Sequence, residues 1–244
     1  MAGLLLAMMF TISNLTPAYA HQPINLTAAN SSANKGPIIV DGKVSFVIRA
    51  NFTKPNQTQG FRAALQAGET LYFRYLIIDK APENKLAKNK LPVATITDPA
   101  GKKMVIKFTE RTKFYYPFLD TNFVYLARYN QTVLDGIYKF TLQSKVKAAI
   151  QVVVGTLETY GEVLSPATCP AWVEPIDEVK ILPAYAEGLV GMKKKAAASC
   201  AEKLGWQYRI GQENSQMFAL TKDYRLDRIT VSIKKGLITQ SLVG

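Results

Sequence analysis

Residues 220–228 read Leu-Thr-Lys-Asp-Tyr-Arg-Leu-Asp-Arg. The stretch is polar and charged. It separates two segments of strand composition, Trp206-Gln207-Tyr208-Arg209-Ile210 and Ile229-Thr230-Val231-Ser232-Ile233. β-Branched and aromatic residues suit a pleated, half-buried surface, so both flanks are predicted strands. A third strand is predicted over Leu237–Leu242. Upstream, Lys193–Lys203 has helical composition, and Gly205 is a helix stop. The last quarter of the chain therefore reads as a small α+β unit with a charged loop between strands. Lys193, Lys194 and Lys195 stand where a helix N-terminus favours acidic residues, which makes them a candidate basic docking patch.

The order of motifs is more specific than any one of them. Gly188-Leu189-Val190-Gly191, a helix, Leu204-Gly205-Trp206 and then Thr221 to Arg228 together resemble the potato inhibitor I family of serine protease inhibitors. The resemblance covers about residues 186–244. It implies a reactive bond at Lys222-Asp223, with Lys222 in the primary specificity position. Leu220, Thr221, Tyr224 and Arg225 would contact the protease. Arg228, Thr230 and Gly244 would support the loop, Arg228 by reaching back to the Thr221 hydroxyl and the Asp223 side chain. A lysine at the specificity position suits the acidic pocket floor of a trypsin-like enzyme, so that partner is preferred over a subtilisin-like one. Such an inhibitor gains affinity from a rigid loop that loses little entropy on binding. One position departs from the pattern: many plant members carry a second supporting arginine where this chain has Thr230.

Ahead of this unit the texture is β. Segments 44–48, 71–78, 93–97, 104–108, 123–127, 137–142 and 149–154 are rich in β-branched and aromatic residues. Asp98-Pro99-Ala100-Gly101 and Asp135-Gly136 carry turn chemistry. Residues 37–164 are therefore expected to form an all-β sandwich, with a loose resemblance to Ig-like modules. Residues 165–185, with Pro166, Pro170, Pro175 and Pro183, read as a proline-containing linker. Residues 21–36 are polar and read as a flexible leader. Residues 1–20 read as an export signal: an apolar run from Gly3 to Phe10, then Ala18-Tyr19-Ala20 as a cleavage site after Ala20. The expected location is secreted or periplasmic, with no membrane span.

Export changes the meaning of the cysteines. Cys169 and Cys200 are expected to pair as a disulfide; the alternative is two buried thiols. The net charge is +12, with 19 Lys and Arg against 10 Asp and Glu before Pro166, and 11 against 8 from there on. The basic sandwich suits an anionic surface. Nucleic acid is not an expected partner, since no zinc-finger or RNA-binding signature is present. An enzyme is not expected either. His21 is the only histidine and would be the first residue after cleavage. One histidine and two cysteines do not close a zinc site, and no phosphate-cradling glycine loop occurs, so no metal and no cofactor are expected. The competing reading is an exported sandwich that binds a ligand or surface, with an inhibitor-like unit that does not inhibit.

Overall fold

The computed structural model describes residues 21–171 and 180–244. The expected export signal and Pro175 lie outside the described residues. The chain is mostly β, in three mixed sheets. Its strands are β1 (Gln22–Leu26), β2 (Ile38–Ile39), β3 (Phe46–Phe52), β4 (Thr58–Leu65), β5 (Thr70–Ile78) and β6 (Val93–Thr97). Then come β7 (Lys103–Val105), β8 (Thr112–Tyr116), β9 (Thr121–Thr132), β10 (Gly136–Gln143), β11 (Ala148–Val154) and β12 (Val163–Leu164). Two helices follow, α1 (Pro183–Gly188) and α2 (Lys194–Lys203). The chain finishes with β13 (Gln207–Glu213), β14 (Gln216–Met217), β15 (Arg228–Lys234) and β16 (Leu237–Val243).

The first sheet has the order β1-β3-β11-β5-β9-β8, and the second β12-β2-β4-β10-β6-β7. They share one core. Ile48, Phe73 and Val152 come from the first sheet, and Phe61, Ile96 and Phe140 from the second. Phe140 stacks on Phe61 in its own sheet at 4.4 Å and on Phe73 of the facing sheet at 6.0 Å. Strict alternation directs this packing. In β11 the residues Ala148, Ile150, Val152 and Val154 are buried, while Ala149, Gln151 and Val153 turn outward. The Asp98 turn joins β6 to β7, as expected: Gly101 donates to the Asp98 carbonyl, and Lys102 to its carboxylate.

Two expectations are corrected. Residues 21–36 are not a flexible leader. β1 pairs in parallel with β3 from Gln22↔Phe46 to Leu26↔Ala50, because the exposed edge of β3 supplies the partners that polar side chains do not forbid. The stretch 165–185 is more than a linker. Pro183 opens α1 in the first-turn position, where proline's missing N–H costs nothing. α1 packs on the second sheet through β2, β4 and β10. Arg62 of β4 is fully buried there and pairs with Glu187 of α1 at 2.7 Å. Its other amino group donates to the carbonyls of Asn34 and Gly36.

The third sheet has the order β14-β13-β15-β16 and its own hydrophobic cluster, in which Ile229, Val231 and Ile233 of β15 meet Ala197 and Ala201 of α2. β13 and β15 run parallel, and β15 and β16 antiparallel. A parallel pair cannot be closed by a tight hairpin. The chain between β13 and β15 must therefore travel back along the sheet, and it does so as a long exposed loop. Cys169 and Cys200 form a disulfide, 31 residues apart in sequence, that ties α2 to the segment preceding it. Among the described residues, no helix is long and apolar enough to cross a membrane.

Candidate functional site

β13 is interrupted at Gly211, where its register with β15 shifts, and the chain turns through β14. Phe218 N–H donates back to the Gly211 carbonyl, and from there the loop leaves the sheet. Every residue from Asn214 to Leu226 is exposed. At the far end, Gln207 N–H donates to Asp227 O, and Ile181 N–H to Leu226 O, so the loop re-enters the sheet on fixed backbone bonds.

Between these anchors the loop is gripped from below by two guanidinium groups. Arg228, the first residue of β15, donates through Nη1 to Asp223 Oδ2 at 3.0 Å and through Nη2 to the Asp223 carbonyl at 2.5 Å. Arg209, on β13, donates through Nη1 to Thr221 Oγ1 at 3.0 Å. Both also reach one acceptor, the Gly244 carbonyl: Arg228 Nε at 3.1 Å and Arg209 Nη2 at 3.2 Å. Thr230 Oγ1 donates to the same oxygen at 2.8 Å and accepts from Arg209 Nε at 3.0 Å. Thus Thr221 and Asp223 are each held by a different strand, with Lys222 between them exposed and, among the described residues, without a hydrogen-bond or ion-pair partner.

Charge-assisted bonds of this kind are the stronger class. They also shift Asp223. The Thr221 hydroxyl and then the Arg228 guanidinium hold its carboxyl down at about 2. Arg225 is not free to roam, because its guanidinium forms a fork with both carboxylate oxygens of Asp227, at 3.0 and 2.9 Å. Tyr224 is 71% exposed, yet one edge of its ring lies on Gly244. Gly244 has φ +130, and a side chain there would stand 2.9 Å from that ring. Leu220 is exposed beside the Gly211 bulge.

The geometry amends one expected role. Arg228 reaches the acidic side chain but not the Thr221 hydroxyl, which Arg209 takes instead. Arg209 was missed in the sequence because its place depends on register. It stands directly opposite Thr230 in the parallel pair, and that is the position of the absent second arginine. A parallel β13–β15 pairing, had it been assumed, would have pointed to residue 209. Of the candidate docking patch, Lys194 is ion-paired with Glu213 at 2.7 Å. Compared with known proteins, the chain matches no family model and no curated protein. Among the described residues, no cluster of three or more His, Cys, Asp or Glu could hold a metal ion.

Proposed function

We propose that the loop from Leu220 to Asp227 is the bait of a substrate-like inhibitor of a trypsin-like serine protease, with Lys222-Asp223 as the bait bond. One observation carries this reading: the residues on either side of an exposed lysine are tied from beneath by Arg209 and Arg228, which converge on a single carbonyl. A loop held so on both sides of one bond loses little freedom on entering a protease cleft. Lys222 would fill the primary pocket against an acidic floor. Leu220 and Thr221 would lie on one side of the cleft, Tyr224 and Arg225 on the other. In this reading the third sheet with α2 is a potato-inhibitor-like unit, and the two facing sheets are an Ig-like carrier. The protein is exported, with cleavage after Ala20, to a compartment where the Cys169–Cys200 bridge persists.

The test is titration of trypsin, chymotrypsin and subtilisin with purified protein. Stoichiometric inhibition of trypsin is expected. Lys222→Glu should abolish it, and Lys222→Leu should move preference toward enzymes with apolar pockets. Trypsin inhibition unchanged in both variants would assign the bait to another bond, and no inhibition of any of the three enzymes would overturn the reading.

A further inference from the structure

The C-terminal unit docks on the second sheet, and the outer face of the first carries a separate concavity of about 520 Å³. This is within the usual size range of pockets for small ligands. Its floor is made by outward positions of the central strands: Val47 and Arg49 of β3, Gln151 and Val153 of β11, and Leu76 at the β5 bulge. One wall is aromatic. Phe114 of β8 stacks on Tyr125 of β9 at 4.5 Å and on Phe123 at 5.6 Å, while Tyr116 meets Phe118 at 5.6 Å. The opposite wall is β1, through Pro23 and the preceding His21.

Two features of this cavity ask for a ligand. Phe118 is 84% exposed and Leu119 51% exposed, at the tip of the β8–β9 hairpin and on the rim of the cavity. Clustered apolar exposure beside a pocket marks a binding surface more often than chance does. The second is Arg49. It is partly buried in the floor, with Asn25 of β1 and Gln151 of β11 as its cross-strand neighbours, and among the described residues it has no ion-pair partner. The one other ionisable group in the lining that could carry positive charge is His21. Its Nδ1 is bonded to the Ser45 hydroxyl, and burial pulls its pKa below the ordinary value, against the opposing pull of Glu158. Among the lining side chains the cation is therefore Arg49, and its planar guanidinium matches a carboxylate with two parallel bonds.

We propose that this cavity binds a small monocarboxylate with a hydrocarbon body, its head on Arg49 and its body along Val47, Val153 and Leu76 beneath the aromatic wall. A sugar fits less well, because the floor offers Gln151 and Arg49 as its polar groups and is otherwise apolar. The site is independent of the loop and of its proposed role.

Isothermal titration of the purified protein with decanoate, below micelle formation, tests this. Saturable binding of one decanoate per chain is expected. Arg49→Gln should weaken it by roughly 10- to 100-fold, the effect of losing a charged hydrogen-bond partner. Decanol should bind at least about 10-fold more weakly than decanoate for the same reason. Phe118→Ser, at an exposed tip that bears little on folding, should weaken binding several-fold. Absence of saturable binding would overturn the proposal. So would equal affinity for decanol, or wild-type affinity in Arg49→Gln. A wild-type dimer that Phe118→Ser converts to a monomer would also overturn it, since a second copy would then cover the cavity.

Discussion

Removing the Arg209 guanidinium should loosen the loop on one side of Lys222 only. Arg209→Ala deletes the bonds to Thr221 Oγ1, Thr230 Oγ1 and Gly244 O. The Gly244 carbonyl keeps Arg228 Nε and Thr230 Oγ1, so its loss is small. Thr221 has no other tether from the sheet. A hydrogen bond to a charged group contributes about 1.5–3 kcal/mol, and the exposure of Thr221 favours the lower end. That corresponds to about a 10-fold rise in the inhibition constant for trypsin, with faster cleavage after Lys222. The compensating change is specific. Residues 209 and 230 are register partners on adjacent parallel strands, which lie about 4.8 Å apart. Arg209→Ala with Thr230→Arg moves the guanidinium across that gap and should recover most of the loss. Inhibition constants and mass spectrometry of the digest read the function, and amide exchange at Lys222 and Asp223 reads loop order even without a protease. Folded variants in which the single change leaves loop exchange and inhibition untouched would refute the bracing argument. So would a double variant no better than the single.

Four further outcomes are expected. Arg228→Ala should weaken trypsin inhibition roughly 10-fold or more and shorten the life of the complex, measured by residual inhibition over time. The Asp223 carboxyl, held at about 2 against an ordinary 3.8, is depressed on folding; its contribution is complete above the ordinary value and lost as pH falls through about 2, so the protection of the loop amides relative to their intrinsic exchange rates should be level from pH 7 to about 4, and a carboxyl titration by NMR should show its midpoint near 2 rather than near 3.8. Reduction of Cys169–Cys200 should cost about 3–4 kcal/mol in a urea melt, and the unreduced protein should weigh two hydrogens less than the reduced chain. Glu187→Ala leaves the buried Arg62 cation unpaired and should cost about 3–5 kcal/mol, whereas Arg62→Leu with Glu187→Leu should be much milder; equal losses in the two would show that the ion pair is not what holds α1.

Much of this architecture was legible because its signals are local. β6, β10 and β11 alternate buried and outward residues over their whole length, and Asp98-Pro99-Ala100-Gly101 carries its own turn. β4 was not legible. It contains Gly60 and Arg62, both poor strand signals, and each is explained by a distant neighbour. Any side chain on Gly60 would strike the backbone of Ala33 and Phe140, and Arg62 is tolerated in the interior only because Glu187 meets it there. β1 was hidden because its inward residues, Ile24 and Leu26, are only two and stand in a short, polar, Asn-rich context, although they do alternate with the exposed Pro23 and Asn25. The candidate site divides along the same line. Thr221, Lys222, Asp223 and Arg228 lie within one short stretch, whereas Arg209 joins them only through a parallel register that the chain does not spell out.

A chain cut after Lys222 would remain a single particle. Both cysteines lie on the amino-terminal side of that bond, so the disulfide cannot hold the pieces together. What remains is the hairpin of β15 and β16, whose Ile229, Val231, Ile233 and Ile238 are almost wholly buried and whose inner edge pairs with β13 from Gln207↔Arg228 onward. Gel filtration would register no change, while a denaturing gel would show two species. The same contacts make residues 223–244 a detachable half of a split protein, able to rejoin its larger partner from solution.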